Sequence, residues 1–144
     1  MYSFFLKAHS GLRYLVLALI VIALFSAIIA VFRKKTFSPL HKKIALFSLI
    51  TSHIQLLLGL GLYFLSPLVA LAQMSSTMKT PTLRYWTVEH AFMMVIAIVL
   101  VTVGYSRAKK GVTDVAKHKA VILFFGLALL LIVVAILLST RGLL

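Results

Sequence analysis

The chain contains no cysteine and only two acidic side chains among its 144 residues. The first absence excludes disulfides, thiolate-held iron–sulfur clusters, c-type haem attachment and cysteine zinc sites. The second leaves Glu89 and Asp114 far apart, so there is no carboxylate pair for acid–base chemistry. Nor is there a nucleophile triad or a phosphate-binding loop, and no enzyme activity beyond electron transfer is supported. Proline is scarce too, with three residues, each where a helix is expected to begin or stop.

What the chain has in abundance is apolar length. Hydrophobic residues make up 62% of it, and the mean hydropathy is +1.13. Runs of about 20 apolar residues mark helices that cross a bilayer. Four are expected, at about 4–32, 39–65, 81–105 and 113–138, the last with its apolar run from Lys119. Together they make a single domain over 1–144. Ser38-Pro39 and Thr80-Pro81 read as a cap followed by a first helical residue. Thr113-Asp114 opens the fourth span, with its negative charge at the positive end of the helix dipole. Gly111 closes the third, Pro67 stops the second, and a short interfacial helical turn is expected around Leu68–Ala72. Tyr63, Tyr85 and Trp86 read as an aromatic belt. Short first and third connections dictate an up-down-up-down bundle, with spans one and three facing each other across it.

The formal charge of +13 is not that of a nucleic-acid binder, because the cations punctuate apolar helices instead of covering one face of a folded module. Arg33, Lys34, Lys35, Lys42 and Lys43 crowd the first connection. Arg107, Lys109, Lys110, Lys117 and Lys119 crowd the third. The positive-inside rule puts these connections in the cytoplasm and both termini outside, with anionic lipids as partners of the basic loops. The basic run after the first span marks it as a retained anchor.

Histidines carry the functional signal. An ionisable side chain in lipid is costly and usually faces the bundle interior. Counted from the basic ends at about 1.5 Å per residue, His9 lies about 36 Å away, His90 about 26 Å and His53 about 15 Å. His9 is thus at the outer rim, His90 in the outer leaflet and His53 near the middle. His41 and His118 sit among lysines and read as solvated interfacial residues. Imidazole is the common ligand of haem iron, and His9 with His90 is the preferred axial pair. Arg13, one turn beyond His9, and Arg84, nearer the outer surface, suit haem propionates. Gly59 and Gly61 permit close approach of a flat macrocycle or of another helix. His53, beside Ser52 and Gln55, is the alternative ligand or a quinone contact. Glu89 is a structural partner of an arginine, a proton carrier or a second acceptor for a histidine.

The His9-Ser10-Gly11-Leu12-Arg13 opening, the Ser52-His53-Ile54-Gln55 segment and the Glu89-His90 pair resemble small bacterial membrane cytochromes of the b type. These are short four-helix proteins loosely named "cytochrome B" in Bacteroidetes-type genomes. The chain is also distantly similar to cytochrome b561 and to one half of haem A synthase. The resemblance implies haem b and electron transfer, with quinol as a possible electron source. Two other functions compete. One is copper binding or delivery through His90, Met93 and Met94, with Met74 and Met78 in the outer loop. The other is a cofactor-free accessory subunit of a larger membrane complex, or a homo-oligomer.

Overall fold

A computed structural model describes residues 1–67 and 78–139. The described residues form an all-helical bundle. Its helices are α1 (Tyr2–Phe32), α2 (Pro39–Leu65), α3 (Pro81–Lys110) and α4 (Asp114–Leu138), and all four are long and apolar enough to cross a membrane. They leave large apolar side chains such as Phe25, Phe47, Phe92 and Leu130 facing outward. That is the pattern of a multi-pass membrane protein, in which lipid takes the place of water around the bundle. The turn expected around Leu68–Ala72 lies outside the described residues, as do Met74 and Arg141.

The boundaries follow local chemistry. Ser38 caps α2 by accepting from the His41 backbone N–H, while its own N–H donates to His41 Nδ1 at 3.2 Å. His41 thus fills the role that Glu or Gln takes in a capping box. Thr113 caps α4 by accepting from the Ala116 N–H at 3.1 Å. Thr80 marks the start of α3 but makes no side-chain cap bond. At the end of α1, Lys34 takes φ 52°, and the Lys35 and Lys34 N–H groups reach the Ala30 and Val31 carbonyls. This is the Schellman closure, with lysine where glycine is usual. α3 runs to Lys110, five residues past the expected end at Tyr105, because Arg107–Lys110 continue the helix beyond its apolar part.

The helices form a ring. α3 packs on α4, α1 on α2 and on α4, and α2 on α3, which leaves α1 and α3 diagonal across the bundle. The two basic connections lie at the same end, where the Phe37 N–H donates to Asp114 Oδ1 at 2.9 Å. That end is close-packed through small residues: Ala23, Ala27 and Ala30 on α1, Ala45 and Ser48 on α2, and Ala97, Gly104 and Ala108 on α3. A Cβ at Gly104 would lie 2.7 Å from Phe124 Cβ, so glycine is what lets α3 and α4 approach here. Before Val16, α1 has no buried residue, and α2 has none after Ser52. The opposite half of the bundle is therefore the loose one.

One expectation is corrected at the packed end. His118 is not solvated. It is 1% exposed, with its ring 5.1 Å from Phe37 and 4.8 Å from His41, centre to centre. It is the fifth residue of α4 and turns inward under the first connection, where Lys117 lies over the same Phe37 ring, while Lys119 is exposed. Neither ring nitrogen has a hydrogen-bond partner. Removing both at once should cost little, since an unpaired buried polar group is itself a penalty. His118→Leu is expected to leave stability unchanged within about 1.5 kcal/mol, or to raise it. Thermal unfolding of the detergent-solubilised protein measures this, and a larger loss would show that the imidazole is bonded in the native state.

Candidate functional site

The loose half of the bundle holds a partly open cavity of about 310 Å³ whose walls come from all four helices. Its volume falls in the range of small-molecule sites, about 300–1,000 Å³. His9 from α1 and His90 from α3 face each other across it, with ring centres 6.2 Å apart and planes at 68°. Their meeting follows from the diagonal placement of α1 and α3.

Each histidine is held by its neighbours. The Gln55 amide of α2 donates to the His9 backbone carbonyl at 2.8 Å and ties α1 to α2 at this level. Gly59, one turn further on, lies under the His9 ring: a Cβ there would be 3.2 Å from Nε2. Glycine thus lets the Nε2 edge of the His9 ring lie against α2, where a side chain would crowd it. Gly61 lies outside the cavity and packs against the Phe5 ring. His90 sits among aromatic rings, 5.4 Å from Trp86 and 5.8 Å from Tyr85 between centres. The buried Tyr85 hydroxyl donates to the Ala135 carbonyl of α4 at 2.6 Å. Its oxygen lies 3.5 Å from His90 Nδ1, at the outer edge of hydrogen-bond distance.

A π-helical turn over Tyr85–Glu89 makes these contacts possible. Residues five apart diverge on an α-helix but come together on the wider π turn. The turn brings Tyr85 to His90 and Arg84 to Glu89. The Arg84 Nε donates to Glu89 Oε1 at 2.6 Å, and Nη1 donates to the Met78 carbonyl. Of the roles expected for Glu89, the structure displays pairing with an arginine.

The other expected residues divide between cavity and surface. Arg13 lines the cavity, with its guanidinium 4.8 Å over the Tyr14 ring and a bond to the Tyr14 hydroxyl. Arg84 does not line it and is engaged with Glu89. His53 is exposed on the outer face of α2, where its Nδ1–H donates to the Leu49 carbonyl at 2.8 Å. Ser52 and Gln55 were grouped with His53 by sequence proximity. In the helix they share a face with Gly59, and His53 points about 100° away from Ser52. Both line the cavity, and their Oγ and Oε1 atoms are buried without hydrogen-bond partners. A bound group or water in the cavity would satisfy them. Met94 lines the cavity but Met93 does not, and Met78 is exposed. Among the described residues, no group of three or more His, Cys, Asp or Glu side chains is placed to hold a metal ion.

Sequence reasoning missed Tyr85 and Trp86 as site residues. Their aromatic-belt character is visible in the sequence, but a five-residue offset from a histidine carries no signal at α-helical periodicity. Replacing Tyr85 by Phe removes the hydroxyl and leaves the ring. The expected cost is about 1 kcal/mol for the Ala135 bond, read as a lower unfolding midpoint. The His90 Nδ1 resonance should also lose its dependence on that hydroxyl. An unchanged midpoint with an unchanged imidazole spectrum would refute the link.

Comparison of the chain with protein-family models, with curated proteins and with solved structures finds no match.

Proposed function

We propose that this is a haem b-binding membrane protein that transfers electrons, with His9 and His90 as the axial ligands. The observation that carries the reading is the opposition of two imidazoles across an internal cavity, with ring centres 6.2 Å apart. Imidazoles this close could each offer one nitrogen to an iron held between their helices. The porphyrin supplies the remaining four ligands, so two histidines suffice where a bare ion would need a larger protein cluster.

A bis-histidine haem supplies a one-electron carrier with no open position for oxygen chemistry. The protein's residues do the rest. Tyr85 packs beside the His90 ring, and Gly59 lets the His9 ring lie against α2. The apolar walls exclude water, and Arg13 offers a cation to a propionate. With the basic connections at the cytoplasmic face of a bacterial inner membrane, both termini lie outside and the site lies in the outer leaflet. A quinol diffusing in the bilayer would reach this depth and is the proposed electron source.

A second reading, a subunit of a larger membrane assembly or a homo-oligomer, is favoured by His53. An exposed imidazole midway along an apolar helix is costly against lipid, and a neighbouring chain would cover it. The discriminating experiment is the reduced-minus-oxidised visible spectrum of protein expressed with ample haem. We expect a b-type α-band in the wild type and in His53→Ala, and its loss in His9→Ala and in His90→Ala. A colourless wild type would end the haem reading. A band surviving both single substitutions would end the ligand assignment.

A further inference from the structure

At the other end of the molecule, the last turn of α3 and the first turns of α4 border an open groove of about 470 Å³. Its rim carries three cations, Arg107, Lys110 and Lys119, and its floor is Ala120, Leu123 and Phe124. All three cations are exposed. The spacing that turns Lys119, Ala120 and Leu123 to the groove turns Asp114, Lys117 and His118 the other way, toward Phe37 of the first connection. The groove therefore has no acid of its own. Asp114 accepts from the Phe37 N–H, and Glu89 is paired with Arg84 at the far end of α3.

Three like charges around one depression repel one another and call for an anion. The Arg107 guanidinium lies 5.4 Å over the Phe124 ring. Stacked in this way, a planar guanidinium keeps its N–H edge available for bidentate contact with phosphate. Below the rim, Leu123, Leu127 and Leu130 are exposed at spacings of four and three along α4, which puts them on one face. A cationic rim thus opens onto an apolar track running down the membrane-facing side of the helix.

We propose that this groove is a binding site for an anionic phospholipid, its phosphate held by Arg107, Lys110 and Lys119 and an acyl chain lying along Leu123, Leu127 and Leu130. The site sharpens the general expectation that the basic loops attract anionic lipid. It assigns the contact to the third connection, where three cations border one groove and the Arg107 guanidinium lies over the Phe124 ring. It does not depend on what the histidine cavity holds.

The test compares the wild type with two variants of equal charge, R107Q/K110Q/K119Q in the groove and K35Q/K42Q/K43Q in the first connection. Each is purified in neutral detergent, titrated with phosphatidylglycerol or with phosphatidylcholine of the same chains, and read by native mass spectrometry. We expect the wild type to retain phosphatidylglycerol over phosphatidylcholine. The groove variant should lose at least tenfold in affinity and the first-connection variant less than threefold. Arg107→Lys, which keeps the charge but not the planar fork, should lose several-fold while its unfolding midpoint stays at the wild-type value. Equal losses in both triple variants would mean diffuse attraction and overturn the site. So would equal retention of the two lipids, or displacement of the lipid by millimolar inorganic phosphate.

Discussion

His9 and His90 meet because α1 and α3 are diagonal in a ring of four helices, and the rest of the site depends on that placement. Adjacent helices in such a ring touch along their length, whereas diagonal ones meet only through side chains that reach the centre. At the basic end, small residues draw the ring tight. At the other end α1 and α2 lack buried residues, and the ring opens. The cavity at that end carries the unpartnered Ser52 and Gln55 oxygens on its wall, which a bound group or water would satisfy.

The two histidine pairs at opposite ends show how setting decides the role of one residue type. His9 and His90 meet edge to face at 6.2 Å between ring centres, on the wall of the cavity. His41 and His118 touch edge to face at 4.8 Å, with the Nδ1 of His41 committed to the cap of α2. The first pair borders a cavity, and the second locks two connections together.

Much of the architecture was legible in the sequence. Four apolar runs, the Ser38-Pro39 and Thr113-Asp114 caps and two crowded basic connections determine the helices, their order and the shared basic end. That His9 and His90 come together was legible in part, through the common direction of α1 and α3. What settles the orientation of His53 is its position around α2: Ser52, Gln55 and Gly59 follow the 3.6-residue period and His53 does not. The π turn was not legible. It inserts one residue into the helical count just before His90, and only then do Tyr85 and Arg84 find their partners. The burial of His118 was equally hidden, because lysines on either side of it in sequence gave it a polar setting that the helix divides between two faces.

The central claim, that two opposed imidazoles grip one iron, is most directly tested by low-temperature electron paramagnetic resonance of the oxidised protein, isolated with its chromophore or reconstituted with haemin. The account predicts a low-spin ferric signal from one haem per chain, of the kind two axial imidazoles impose. A high-spin signal, or protein that takes up no haemin, would contradict it.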